Sequence, residues 1–178
     1  KESGIDFRNQ LDYTEELNPY TYRNFFNGGG VALGDINNDG LLDIFFSGNM
    51  VENKLYLNKG NWQFKDITQE SGTGGSKFWA TGATFVDINA DGWLDLYVCI
   101  SGPPSDELGR KNQLFINQKD GTFKESAEQF GLDFKGLAVH AAFFDYDKDG
   151  DLDCYLLTNS FRGVGIGQDI VENQREIP

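Results

Sequence analysis

Three gapless copies of one nine-residue pattern organise this chain: Asp35-Ile36-Asn37-Asn38-Asp39-Gly40-Leu41-Leu42-Asp43, Asp87-Ile88-Asn89-Ala90-Asp91-Gly92-Trp93-Leu94-Asp95 and Asp145-Tyr146-Asp147-Lys148-Asp149-Gly150-Asp151-Leu152-Asp153. Each copy places Asp or Asn at positions one, three and five, Gly at position six and Asp at position nine. Short apolar segments with the composition of β-strands flank every copy. The chain is therefore a repeat protein whose unit is centred on an acidic turn.

A second motif repeats in register with the first, because residues 53–72 match residues 112–131 in their Asn, aromatic and Gly positions. Each unit predicts four short strands, while no long window shows helical periodicity. The predicted strands are 31–34, 43–47, 54–57 and 64–67, then 83–86, 95–100, 113–116 and 123–126, then 141–144 and 153–158. Four antiparallel strands in a unit of this length predict an all-β fold built from β-propeller blades.

The repeat predicts about two and a half blades. The boundaries are 1–24 for the end of a preceding repeat plus an insert, 25–73 for blade 1, 74–132 for blade 2, 133–160 for the first half of blade 3, and 161–178 for a loop or tail. Such a set cannot close a ring. We expect either a piece of a longer chain, since Ser3-Gly4-Ile5 resembles the end of an earlier copy and no Met begins the sequence, or a homo-oligomer that pairs exposed blade edges.

The spacing of oxygen-bearing side chains in each copy predicts a calcium site. Ca²⁺ takes six to eight oxygen ligands, and a loop wrapped around it offers side chains from alternate positions. Gly at position six permits the sharp turn, and position seven can offer its backbone carbonyl whatever its side chain. The predicted ligands are Asp35, Asn37, Asp39, Leu41 and Asp43; Asp87, Asn89, Asp91, Trp93 and Asp95; and Asp145, Asp147, Asp149, Asp151 and Asp153. The Leu at position eight is expected to anchor each loop in the core.

The pattern partly fits two other kinds of turn, the EF-hand loop and the metal-free Asx-turn. An EF-hand would require Glu at position 12 and flanking helices, but Phe46, Val98 and Leu156 stand there and the flanks are predicted strands. Asx-turns without a metal remain an alternative for any single copy. Three copies with converging carboxylates favour up to three bound Ca²⁺ ions, because like charges packed in a tight turn repel one another. The third loop carries the most acids and is expected to bind most tightly.

The charge balance agrees with metal binding. The formal net charge is −13, and eleven of the 28 acidic residues lie in the three loops. An acidic surface repels nucleic acid and anionic lipid, so neither is expected as a partner. No apolar run is long enough for a membrane span. Cys99 and Cys154 are not equivalent in the repeat; a disulfide between them is an alternative, and free thiols are favoured.

The Asp loop, the preceding aromatic-x-x-Gly element and the Asn-x-Leu-aromatic-x-Asn strand resemble the FG-GAP/VCBS repeats of integrin-α-like calcium propellers and of bacterial surface proteins similar to the ASPIC/UnbV group. The aromatic-x-x-Gly element is assigned to residues 26–29 and 79–82, while the third unit departs from it with Leu137-Ala138-Val139-His140. The resemblance covers about residues 25–160. It implies an extracellular, cell-surface or periplasmic setting and a role as an adhesion or protein and glycan interaction scaffold.

Three functions follow from these observations. The first is structural calcium in a non-enzymatic scaffold. The second is a carbohydrate-binding module, for which Trp62, Trp79 and Trp93 are the candidate stacking platforms. The third is a polysaccharide-degrading lyase or hydrolase; it has little support, because His140 is the sole histidine and is expected in the core, and no nucleophile or zinc motif occurs.

Overall fold

The computed structural model describes residues 3–75, 79–102 and 109–159, so the predicted tail at 161–178 lies outside the described residues. Within these ranges the chain forms ten β-strands and one single-turn helix. In chain order they are β1 (Val31–Gly34), β2 (Asp43–Phe46), β3 (Lys54–Asn58), β4 (Phe64–Asp66), α1 (Thr68–Ser71), β5 (Ala80–Val86), β6 (Asp95–Ile100), β7 (Gln113–Asn117), β8 (Phe123–Glu125), β9 (Ala138–Phe144) and β10 (Asp153–Thr158). The all-β prediction is confirmed. No helix in these ranges has the length and apolarity to cross a bilayer.

The strands form two four-stranded antiparallel sheets, β1-β2-β3-β4 and β5-β6-β7-β8, and a two-stranded sheet of β9 and β10. These are the predicted blades, with the first two strands of a third. The strands on either side of each Asp loop pair in the same register: Gly34 lies opposite Asp43, Val86 opposite Asp95, and Phe144 opposite Asp153. The third unit therefore keeps the register of the others although its sequence departs from the pattern before the loop.

The core lies between successive blades, because each sheet is apolar on the faces that meet. Val98 and Phe115 of blade 2 belong to one buried cluster with Phe45 and Leu55 of blade 1. A second buried cluster joins blade 2 to β9 and β10. Alternate residues of a strand point to opposite faces, so a blade between two neighbours needs apolar residues on both. All six residues of β6 are buried for this reason.

Glycine sets the spacing of the innermost strands, β1, β5 and β9. A Cβ added to Gly30 would lie 2.5 Å from the carbonyl oxygen of Thr81, and one added to Gly82 would lie 2.5 Å from that of Val139. Gly30 thus corresponds to Gly82, whereas the predicted element at 26–29 placed Gly29 there. Asn27 stands three residues before Gly30, where blade 2 has Trp79. Both glycines stand five residues before the first Asp of their loop, the position that His140 occupies in the third unit.

The position-eight leucines only partly behave as predicted. Leu94 packs across the seam between blades, since its Cδ1 would lie 2.8 Å from a Cβ on Gly34. Leu42 is 57% exposed and Leu152 is 40% exposed, so the prediction that they anchor in the core is wrong. For Leu42 the reason is its position, because no described blade precedes blade 1 to cover it. The complete blade 2 precedes Leu152, and the structure offers no explanation for its exposure.

The N-terminal segment runs along the outward face of blade 1 without regular structure. Phe64 donates its N–H to the Ser3 carbonyl over 2.8 Å. A Cβ on Gly4 would meet the Phe64 carbonyl, much as one on Gly72 would contact the Phe123 carbonyl of blade 2. Gly4 thus lies against blade 1 as Gly72 lies against blade 2; that Ser3-Gly4 ends an earlier repeat stays a prediction.

Candidate metal centres in the Asp loops

The three Asp loops connect β1 to β2, β5 to β6, and β9 to β10, and each follows an innermost strand. Neighbouring loops are linked, because Asn38 of the first donates its amide N–H to the Gly92 carbonyl of the second over 3.1 Å. All fifteen predicted ligand residues lie in these turns or, for Asp43, Asp95 and Asp153, at the first residue of the strand that follows. The loops therefore occupy one end of the blades.

The loops share one backbone conformation. Position six adopts a left-handed φ in all three, at 84° for Gly40, 84° for Gly92 and 98° for Gly150. Position four is also left-handed, and its φ is 57° at Asn38, 55° at Ala90 and 65° at Lys148. The sequence predicts the first of these features from the invariant Gly. It gives no signal of the second, because Asn, Ala and Lys share no conformational preference.

The first two loops also share one hydrogen-bond network. The Asp35 carboxylate accepts the backbone N–H groups of Asp39 at 3.1 Å and Gly40 at 2.7 Å, and Asp39 accepts that of Leu41 at 2.9 Å. In the second loop Asp87 and Asp91 accept the three equivalent bonds over 2.8–3.0 Å. These bonds turn the carboxylates at positions one and five towards the inside of the loop. They are compatible with an Asx-turn as well as with a metal site.

In the two complete blades, the Asp at position nine is buried beneath the other acidic residues of its loop. Asp43 is fully buried, and its two oxygens accept the N–H of Ile36 at 3.0 Å and that of Asn58, on β3, at 2.7 Å. Asp95 is equally buried and accepts the N–H groups of Ile88 at 3.1 Å and Asn117 at 2.8 Å. Burial raises the pKa of both carboxyl groups, these backbone donors lower it, and the neighbouring loop carboxylates raise it again.

The third loop concentrates negative charge at the surface. Carboxylate oxygens of Asp145, Asp147 and Asp149 all lie within 4.8 Å of one another, and the three residues are exposed. The charge on Asp149 raises the pKa of the Asp151 carboxyl. Asp153 accepts the N–H of Tyr146 at 2.7 Å and is only half-buried. A third strand that could donate to its other oxygen, as β3 and β7 do in the complete blades, is absent from the described residues.

The donor chemistry fits a hard divalent cation. Each loop directs oxygen donors from positions one, three and five into one turn, with a carboxylate at position nine beneath them. Oxygen-only donor sets of this kind suit Ca²⁺ rather than softer metals. One feature that the sequence did not indicate sets the second loop apart: the Lys119 ammonium lies 3.2 Å from a carboxylate oxygen of Asp91.

The three tryptophans have different surroundings. Trp79 is 4% exposed and packs with Tyr22 and Phe25, so it cannot stack on a sugar at the surface. Of the adjacent residues Phe25 and Phe26, the first is buried, although the predicted aromatic-x-x-Gly element begins at the second. Trp93 is half-buried, and Trp62 is 82% exposed. The expectation that His140 lies in the core is wrong, because its side chain is exposed on the half-blade.

Trp62 borders an open groove of 640 Å³ on blade 1 that is also lined by Leu33, Leu41 and Leu42. The matching residues of blade 2, including Trp93 and Phe123, line a smaller cavity of 400 Å³. There they face Ile36, Leu57 and Ile67 of blade 1. The groove is therefore the uncovered half of a seam between blades, and its apolar character is what a neighbouring blade requires.

Comparisons with known proteins agree with the repeat geometry. The FG-GAP-like repeat model matches residues 35–98 and 100–156, which together make up well over half of the chain. Cartilage acidic protein 1 of Xenopus tropicalis is 29% identical over 165 residues, which cover 90% of this chain. The chain spans 23% of the length of that relative. The matched residues contain all three Asp loops, and the chain belongs to the FG-GAP-like repeat family.

Proposed function

We propose that the Asp loops bind structural Ca²⁺ and that the chain is a calcium-stabilised propeller segment. The observation that carries the proposal is the cluster of Asp145, Asp147 and Asp149, whose oxygens lie within 4.8 Å of one another. Within the described part of the chain, no ion pair neutralises these three carboxylates. Like charges held this close oppose folding of the turn unless a cation lies among them. The other two loops share the same backbone and extend the proposal to three sites.

The residues of each loop have separable roles in this proposal. Positions one, three and five supply side-chain oxygens, position seven supplies a backbone carbonyl, and position nine supplies the carboxylate beneath them. The ion itself would contribute the positive charge that offsets their mutual repulsion. Because position nine begins the second strand of a blade, binding joins the turn to the sheet and stabilises the pairing of the first two strands.

We further propose that this segment belongs to an exported, non-enzymatic scaffold for adhesion. The acidic composition, with a net charge of −13, suits an environment rich in calcium. The relative is named as an acidic protein of cartilage, which supports an extracellular setting. The open seam on blade 1 favours a further blade as its neighbour, from a longer chain or a second copy, over a sugar stacked on Trp62.

Thermal unfolding in calcium and in EDTA tests the proposal. Extracellular calcium modules have Kd values of roughly 10⁻⁴–10⁻³ M. At millimolar free calcium each site would then stabilise the fold by about 0.5–1.5 kcal/mol. Three sites together should raise the Tm by several degrees, since about 1 kcal/mol shifts a domain of this size by roughly 2–4 °C. Calorimetric titration should show up to three binding events, and Mg²⁺ should substitute poorly.

The two variants remove acidic charge at different places, three carboxylates inside the third loop and two outside the loops. Replacing Asp145, Asp147 and Asp149 together by Asn should abolish one binding event and part of the Tm shift, while in EDTA the variant should melt no lower than the parent. Replacing the exposed pair Glu15 and Glu16 by Gln should leave the titration unchanged. Identical melting in calcium and EDTA, with no heat of binding, would contradict the proposal.

A further inference from the structure

The second Asp loop differs from the other two in having a lysine beside it. The Lys119 ammonium lies 3.2 Å from Asp91 Oδ2, with the two side chains 45% and 26% exposed. Lys119 belongs to the turn between β7 and β8, well beyond the loop in the sequence. Within the described residues, this is the one ion pair that reaches an Asp-loop carboxylate.

The equivalent residue in blade 1 is a glycine. Gly60 donates its N–H to the Asn58 side chain at 2.9 Å, just as Lys119 donates to that of Asn117 at 2.9 Å. The φ of Gly60 is 77° and that of Lys119 is 67°. A left-handed φ suits glycine and strains other residues. Blade 2 therefore carries a long cationic side chain at a position whose backbone favours glycine, and this side chain reaches into the Asp loop.

The ammonium contacts the oxygen of Asp91 that is not tied to the backbone. Asp91 Oδ1 accepts the Trp93 N–H at 3.0 Å, whereas Oδ2 accepts the Asn89 amide at 3.1 Å and contacts Lys119. In the first loop the same oxygen, on Asp39, accepts only the equivalent amide, at 3.0 Å. Apart from the ammonium, the two environments match closely, so the chain contains its own control.

We propose that Lys119 is a built-in counter-ion of the second loop that competes with Ca²⁺ for Asp91, so that this loop has the weakest of the three calcium sites. The inference rests on the proposed calcium function. An ammonium within a few ångströms of the site repels a divalent cation, and displacing it breaks the ion pair. In a partly exposed environment these effects together should weaken binding about five- to tenfold. At calcium concentrations that fill the first and third loops, the second loop would remain without Ca²⁺ and would keep the ion pair between Lys119 and Asp91.

The test uses the full chain and its Lys119→Gln, Lys119→Gly and Lys119→Arg variants. Terbium, which occupies calcium sites and emits when a nearby tryptophan is excited, reports the second loop through Trp93 at its seventh position. The Trp93→Phe variant identifies that part of the signal. Competition with Ca²⁺ then yields the affinity of this loop, and calorimetry yields the affinities of the others.

Lys119→Gln and Lys119→Gly should both raise the calcium affinity of the second loop about five- to tenfold, while Lys119→Arg should stay near the parent. Gly60→Lys should weaken one of the remaining sites by a similar factor. Calcium binding that is identical in the parent and in Lys119→Gln would overturn the inference and leave the proposed function intact. Absence of any calcium or terbium binding would instead overturn the proposed function, and the inference with it.

Discussion

The second and third Asp loops share a sequence pattern and a backbone conformation. They differ in how deeply the Asp at position nine is buried and in how many backbone N–H groups it accepts. In the second loop Asp95 is fully buried and receives two backbone N–H groups, one of them from β7. In the third loop Asp153 is half-buried and, within the described residues, receives one backbone N–H, from Tyr146. The third loop has more carboxylates, whereas the second has a complete blade behind it. The number of carboxylates in a loop and the support that the loop receives from its sheet are thus separate properties, and the repeat pattern predicts only the first.

Removing the carboxylate at position nine should have the largest effect and should separate the two loops. Asp95→Ala leaves the buried N–H of Asn117 and the part-buried N–H of Ile88 without partners, at about 1–3 kcal/mol each. We expect a loss of about 3 kcal/mol in the free energy of unfolding, measured by urea denaturation in EDTA. Asp153→Ala, which removes one bond at a half-exposed position, should cost about 1 kcal/mol. Equal costs for the two variants would mean that the third strand does not support the loop.

Substitution on the innermost strands should have the next largest effect. Ala at Gly82 would place its Cβ 2.5 Å from the Val139 carbonyl oxygen and 2.8 Å from the His140 Cα. Because both are backbone atoms, β5 and β9 must move apart, and overpacking of this kind costs about 1–3 kcal/mol.

The corresponding change on the half-blade is His140→Ala, at the equivalent position in the third unit. His140 is exposed, so this change should alter the free energy of unfolding by less than about 0.5 kcal/mol. Urea denaturation of both variants in parallel provides the comparison. If His140→Ala costs as much as Gly82→Ala, then β9 has a neighbour on its other side, as it would in a self-associated form, and sedimentation would detect that neighbour.

The features predicted correctly from the sequence are those fixed within a few residues. Alternating Asp and Asn followed by Gly specify the turn, and apolar residues on both sides specify the strands, so the blades follow from local pattern. The errors concern burial, which depends on residues far away in the chain. Leu42 and Leu94 have the same place in the pattern, yet Leu94 meets blade 1 whereas Leu42 meets no described blade.

The sequence did not predict the burial of Phe25 or the ion pair of Lys119, because both depend on how side chains pack. The aromatic residues Phe25 and Phe26 are adjacent, and only their packing shows that the first is buried and the second exposed. Lys119 lies in a turn that aligns with that of blade 1, but alignment does not show where a long side chain reaches. Its ion pair with Asp91 depends on how the turn between β7 and β8 sits beside the Asp loop.

The cysteines offer the smallest and most local comparison between the complete blade and the half-blade. Both are free thiols in one apolar cluster, Cys99 buried on β6 and Cys154 half-buried on β10. Burial, followed by the proximity of Cys154, raises the pKa of Cys99 to about 12, and burial also raises that of Cys154.

A raised pKa leaves less of the reactive thiolate at neutral pH, so alkylation of the native protein should be slow at both cysteines and should accelerate as the pH rises. Cys154 should react first, because it is the more accessible thiol, and Cys99 should react only as fast as the blade opens. Peptide mass spectrometry after timed alkylation measures both rates, with Cys99→Ala and Cys154→Ala as controls. If Cys99 were labelled faster than Cys154, the contact between blade 2 and the half-blade would open more often than Cys154 becomes accessible on β10. In that case, the third loop would sit on a sheet that detaches as a unit.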